Sequence, residues 1–148
     1  MKILITSTAF DEAGTIPVRY TCDGADVSPP LDWSGVLQEA KSLALITDDP
    51  DCPTGTWVHW VLFNLPASLN HLPEKAMPGV GIQGKNDFRR LGYNGPCPPR
   101  GRPHRYYFKL YALDTMLNLP AGATKAEVEK AMQGHILAQG QLMGKYGR

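Results

Sequence analysis

Thr47-Asp48-Asp49-Pro50-Asp51-Cys52-Pro53-Thr54-Gly55-Thr56-Trp57-Val58-His59-Trp60-Val61-Leu62-Phe63 is the stretch that decides how this chain folds. Three carboxylates and two prolines lead into an apolar run rich in aromatic and β-branched residues, the composition of a buried strand. Strand alternation places Trp57, His59 and Val61 on one face and Val58, Trp60 and Leu62 on the other. An ionisable ring on such a strand is costly to bury without a partner, and the acidic turn just upstream is the expected one. The turn carries Cys52-Pro53, and a tight acidic turn with X-Pro is a place for a cis bond, which costs only about 0.5–1 kcal/mol more than trans at proline.

A second stretch answers the first. His104-Arg105-Tyr106-Tyr107-Phe108-Lys109-Leu110-Tyr111-Ala112-Leu113 reads as a strand with His104, Tyr106, Phe108 and Leu110 on one side. Gly95-Pro96-Cys97-Pro98-Pro99-Arg100-Gly101-Arg102-Pro103 precedes it, too proline-rich for a helix or a central strand. If the two strands are neighbours, Asp49, His59, His104 and Tyr106 converge at one end of a sheet.

The ordered set Asp49-Pro50-Asp51-x-Pro53, Trp57-x-His59-Trp60, Gly95-Pro96 and His104-Arg105-Tyr106 resembles the phosphatidylethanolamine-binding protein family, and within it the bacterial and archaeal Raf-kinase-inhibitor-like branch. Tyr20-Thr21-Cys22-Asp23-Gly24, Ser28-Pro29-Pro30-Leu31-x-Trp33 and Asn86-Asp87-Phe88 extend the resemblance over nearly the whole chain. It implies a ligand-binding pocket of Asp49, His59, His104 and Tyr106, with Asp51, Gly95 and Pro96 as further members and no catalytic residue. It also implies a cis bond at Cys52-Pro53, a homodimer, and regulation or inhibition of kinases or proteases. Two departures stand out: Cys52 where the family often has alanine, and Arg89-Arg90 where a glycine is more usual, a change at the pocket rim or on a contact surface.

The chain of 148 residues fits a single domain spanning 1–148, large enough to bury about 70% of its unfolded surface. A net charge of +1, with no basic domain, argues against nucleic acid as a partner. No apolar run reaches the roughly 18 residues of a membrane span, and the N-terminal residues lack a signal-peptide h-region, so a cytoplasmic location is expected. Cys22, Cys52 and Cys97 are odd in number and not closely spaced, which points to three reduced cysteines.

Leu43-Ala44-Leu45-Ile46-Thr47 reads as a buried strand feeding the acidic turn. Ile16 to Thr21 reads as a strand entered through Pro17. Gly79-Val80-Gly81-Ile82-Gln83-Gly84 satisfies a dinucleotide string, but Pro78 precedes it and no helical stripe follows, so a flexible glycine loop is expected. Thr124 and Glu127 form a capping box ahead of Val128, Ala131 and Met132, with Gly134 as the stop. The alternation after Ile136, interrupted by Gly140 and Gly144, reads as a final strand. The fold class is mainly β: an antiparallel β-sandwich with one or two short peripheral helices.

Three chemistries suit the convergent residues. Two histidines and a tyrosine hydroxyl suit a small phosphate-containing ligand or a phospholipid head group, with Asp49 orienting a ring or receiving an amine; no cofactor is needed. Two histidines and a carboxylate also match an open metal site by type, though alternation alone does not bring three ligands to one point, and no metal is expected. Asp49 and His59 could act as the acid/base pair of a hydrolase, but no nucleophile elbow accompanies them. The plainest alternative makes both histidines buried residues satisfied by Asp49 and Asp51. A nearby Asp49 carboxylate should raise the histidine pKa values.

Overall fold

The computed structural model describes residues 2–76 and 79–148; Pro78, which fronts the glycine string, lies outside them. Eight strands and one α-helix appear among the described residues: β1 (Leu4–Thr6), β2 (Leu31–Ser34), β3 (Ser42–Asp49), β4 (Trp57–Pro66), β5 (His71–Leu72), β6 (Ile82–Gln83), β7 (His104–Leu113), α1 (Lys125–Met132) and β8 (Ile136–Tyr146). They form two antiparallel sheets, β1-β2-β5 and β6-β4-β3-β7-β8.

The main core lies between the sheets. Ile5, Leu31 and Trp33 of the small sheet meet Leu43, Leu45, Trp60, Leu62, Phe108 and Leu110 of the large one. A second apolar layer, with Ala44, Ile46, Val61 and Phe63, covers the opposite face of the large sheet and packs against Val128 and Met132 of α1. Both faces of β3 are therefore buried, which is why its sequence is a continuous apolar run rather than an alternating one. The helix starts on the expected capping box, Thr124 accepting from the Glu127 amide and Glu127 accepting from the Thr124 amide, and ends before Gly134 at φ +80°.

Several expectations need correction. β4 and β7 are not neighbours: β3 runs between them, so the histidines flank the strand that carries Asp49. Residues Val18–Tyr20 form one 3₁₀ turn that follows Pro17, not a strand; the Tyr20 amide bonds back to the Pro17 carbonyl. Cys22 and Cys97 are joined in a disulfide with Cα atoms 5.4 Å apart, leaving Cys52 as the free thiol. The pairing was hidden because 75 residues separate its partners. No cis peptide bond occurs among the described residues. Cys52 to Gly55 close a β-turn, Gly55 N–H to Cys52 carbonyl at 3.0 Å, in which Pro53 takes the second position. That position favours an ordinary trans proline at φ near −65°, whereas a cis proline belongs at the third.

Alternation also fails at His59. Thr47 pairs with Trp60 and Asp48 with Val58, so His59 is the extra residue of a β-bulge. Val58 joins the layer facing α1, while Trp60 packs into the main core. His59 and Trp60 thus leave the strand on the same side, a re-aiming that bulges near functional sites achieve.

Candidate functional site

Antiparallel pairing of β3 with both neighbours sets its C-terminal end beside the N-terminal ends of β4 and β7. Asp49, Trp57, His59, Phe88, His104 and Tyr106 meet there around a cavity of about 190 Å³, completed by Cys52 and residues 97–99. The His59 ring centroid stands 5.2 Å from that of Tyr106 and 5.3 Å from that of Phe88, both edge-on. His104 stacks on Tyr106 at 6.5 Å.

Each ring is oriented through Nδ1. His104 Nδ1 lies 2.7 Å from Asp49 Oδ2 in a pair that is almost wholly buried. Asp49 Oδ1 accepts from the Asp51 amide at 2.7 Å, so each carboxylate oxygen already has a partner. Asp49 therefore orients the His104 ring, as expected of it. The His59 partner differs from the expected acidic turn: Nδ1 lies 2.7 Å from the carbonyl of Asn94. A carbonyl only accepts, so His59 carries its proton on Nδ1 and keeps Nε2 as its remaining polar atom. Burial, the largest influence, pushes the His59 pKa down, and the Asn94 carbonyl and Asp49 only partly offset it. The expected rise does not occur at His59. Tyr106 stays a phenol donor, its pKa pushed well up by burial and then by Asp49.

The loop of residues 86–95 holds the bulge in place. Asn86 is buried; its Nδ2 donates to the Gly92 carbonyl at 3.0 Å and to Asn94 Oδ1 at 2.8 Å, and its Oδ1 accepts from the amides of Phe88 and Arg90. The Asn94 amide bonds to the His59 carbonyl, which the bulge has released from the ladder. Gly95 and Pro96 are buried behind this arrangement and do not line the cavity. A Cβ on Gly95 would sit 2.1 Å from the Tyr20 carbonyl oxygen, and the Gly95 amide donates to Asp26 Oδ1 at 2.8 Å. The backbone of Tyr20–Cys22 packs here, with Cys22 N–H bonded to the Pro96 carbonyl and the disulfide one residue on.

The aspartates of the turn divide their work. Asp48, on the opposite face, accepts from Lys109 and Lys125, each at 3.1 Å. Asp51 is not among the cavity residues; it binds Arg105 through the backbone amide, Nε and Nη2 at 2.8–2.9 Å. Hydrogen bonding from Arg105 pulls the Asp51 pKa down to about 2 against the cost of burial. Arg89 lies in a different groove with Lys85 and Lys125, and its φ of +63° is the left-handed geometry for which glycine is the strain-free residue. No group of three or more His, Cys, Asp or Glu side chains placed to hold a metal occurs among the described residues. No helix among them is long and apolar enough to cross a membrane.

Sequence reading missed Asn86 and Asn94 as the supports of His59, and Trp57 and Phe88 as walls. The only available signal was the Asn86-Asp87-Phe88 motif, whose spacing says nothing of a contact with His59.

Residues 6–147 match the family model described as phosphatidylethanolamine-binding protein. The chain is 54% identical to the UPF0098 protein of Methanothermobacter thermautotrophicus over 95% of each chain. It is 49% identical to the UPF0098 protein of Aquifex aeolicus over 97% of this chain and 88% of that one. Among solved structures, a phosphatidylethanolamine-binding protein homolog from Chlamydia trachomatis superposes with a TM-score of 0.94 at 44% identity, covering 99% of this chain and 98% of that one. E. coli YbcL, described as a new member of the mammalian family, gives 0.92 at 31% identity, with 100% and 99% covered.

Proposed function

We propose, from the premise that this chain belongs to the phosphatidylethanolamine-binding protein family, that its inner cavity binds one phosphate-type anion without chemical turnover. The observation that carries the reading is the pair of Nδ1-anchored imidazoles on either side of Tyr106, which leaves two Nε2 atoms and a phenol around a space of about 190 Å³. The His104 imidazole, held through Nδ1 by Asp49, turns its other nitrogen to the anion. Neutral His59 offers a lone pair to a P–OH, or takes up a proton and donates. Tyr106 adds a hydroxyl. Cys52, the free thiol at the cavity, has Thr54 Oγ1 as its hydrogen-bond partner rather than a histidine, so the reading includes no activated nucleophile.

A free phosphoester and a phospholipid head group present the same chemistry to this cavity. Regulation of a kinase or protease through that ligand, and assembly as a homodimer, belong to the same proposal. Cytoplasmic residence does too, although the Cys22–Cys97 bond removes the support that reduced cysteines would have lent it.

Calorimetric titration with ethyl phosphate tests the reading. Saturable binding should weaken by tenfold or about a hundredfold in His59→Gln and in His104→Gln, the worth of one charge-assisted hydrogen bond. Affinity for sulfate, whose charge is fixed over this range, should fall as pH rises from about 6 to 8, because binding draws a proton onto the site. Binding unchanged in both variants ends the reading, and catalytic release of ethanol would move it to the hydrolase class.

A further inference from the structure

Next to the inner cavity lies a larger groove of about 580 Å³, and the two share His104 and Pro99. Arg100, Arg102, Arg105 and Lys145 line it, with Asp51 as its one carboxylate. Asp51 is already committed to Arg105 by two side-chain bonds. Arg100, Arg102 and Lys145 are exposed and have no ion-pair partner among the described residues. The whole chain carries a net charge of only +1, so this is a local concentration of positive charge and not a general basicity.

Two physical consequences follow. The inner cavity of about 190 Å³ adjoins the groove at Pro99 and His104, so a ligand that extends beyond its phosphate group has the groove directly beside it. A groove with three unpaired cations attracts an anionic remainder and repels an ammonium group. The prolines at 96, 98, 99 and 103 stiffen the loop that presents Arg100 and Arg102, so little ordering is required on binding.

We propose that the ligand of this protein is a small molecule carrying a second anionic group beyond the phosphate held by His59 and His104, and that Arg100, Arg102 and Lys145 bind that second group. The inference rests on the inner-cavity reading and adds the selectivity: a phosphate extended by an anion is preferred over one extended by an amine. Arg100 and Arg102 come from the proline-rich loop and Lys145 from the last strand, so the groove is closed by segments distant in sequence.

The test is calorimetry with three probes at about 0.15 M ionic strength, where the Debye length of about 8 Å screens distant charges. The probes are ethyl phosphate, O-phosphoethanolamine and inorganic tripolyphosphate. Tripolyphosphate should bind about tenfold tighter than ethyl phosphate, the combined effect of two or three exposed charge pairs. O-Phosphoethanolamine should bind more weakly than ethyl phosphate. Arg100→Gln/Arg102→Gln, on an exposed loop, should remove most of the tripolyphosphate advantage, Lys145 keeping the rest, and leave ethyl phosphate itself unchanged. Arg89→Gln/Arg90→Gln removes the same charge elsewhere and should change nothing. Tripolyphosphate no tighter than ethyl phosphate, with both weakened by His59→Gln, overturns the groove and leaves the inner site standing. Tripolyphosphate binding that needs the two arginines but ignores His59→Gln, with ethyl phosphate failing to bind, overturns the bridged ligand and the inner site together. O-Phosphoethanolamine binding as tightly as ethyl phosphate also overturns the proposal.

Discussion

The strands β4 and β7 each deliver one histidine to the same cavity, and they do it in different ways. β7 keeps an unbroken two-residue alternation against β3, so His104, Tyr106 and Phe108 face the core together and His104 meets a side chain of the adjacent strand. β4 is bulged at His59, and the ring it re-aims is held by a carbonyl in a loop 35 residues away. A histidine on a regular strand inherits its position from the sheet. One on a bulge depends on whatever loop fixes the bulge, so β4 should be the fragile half of the site.

The strongest way to break that contrast is Gly95→Ala. The new methyl would collide with the Tyr20 carbonyl oxygen and with Asp26 Oδ1, at 2.1 and 2.7 Å, so the backbone behind His59 must move. We expect a loss of about 3 kcal/mol or more in urea unfolding, at the upper end for overpacking. The variant should bind ethyl phosphate poorly even where it is folded. Asn86→Ala comes next. It strands amides of Phe88 and Arg90 and the Gly92 carbonyl, for an expected loss of about 2–3 kcal/mol, and it should weaken binding through His59 while the His104–Asp49 pair persists.

Asp51→Asn probes the other half and should be mild. The Arg105 partner is about half exposed, so solvent screening keeps the tie weak and the loss small. Because the folded Asp51 pKa lies below its unfolded value, this contribution is present above about pH 4 and disappears as pH falls through about 2. Unfolding free energies of the variant and the unaltered protein should therefore differ at pH 7 and converge near pH 2. An Asp51→Asn loss larger than that of Asn86→Ala would reverse the ranking of the two halves.

The same contrast explains what could be read from the chain. β3, β7, β8, α1 and the acidic turn follow from local rules: apolar runs, alternation, a capping box and turn residues. The partnership of His104 with Asp49 needs only the knowledge that the two strands are adjacent. The partnership of His59 needs a bulge, and nothing in Trp57-Val58-His59-Trp60 distinguishes a bulged strand from a regular one. Its partner is moreover a backbone carbonyl, which every residue possesses. The insertion of β3 between β4 and β7 and the bond between Cys22 and Cys97 are likewise long-range facts. Pro53 was misread for a different reason: an X-Pro turn admits two isomers, and the position of the proline within the turn decides between them.

The most direct test of the site is the imidazole spectrum of the protein by nitrogen-detected NMR, titrated with ethyl phosphate at pH 7. Free His59 should be neutral with its proton on Nδ1, since burial lowers its pKa below the usual 6.5 and the Asn94 carbonyl fixes the tautomer. On titration the Nε2 signals of His59 and His104 should shift together and saturably, while exposed His71 and His135, paired to Asp32 and Asp114, stay where they were. If His59 and His104 do not move, or if all four histidines move alike, the anion site described here does not exist.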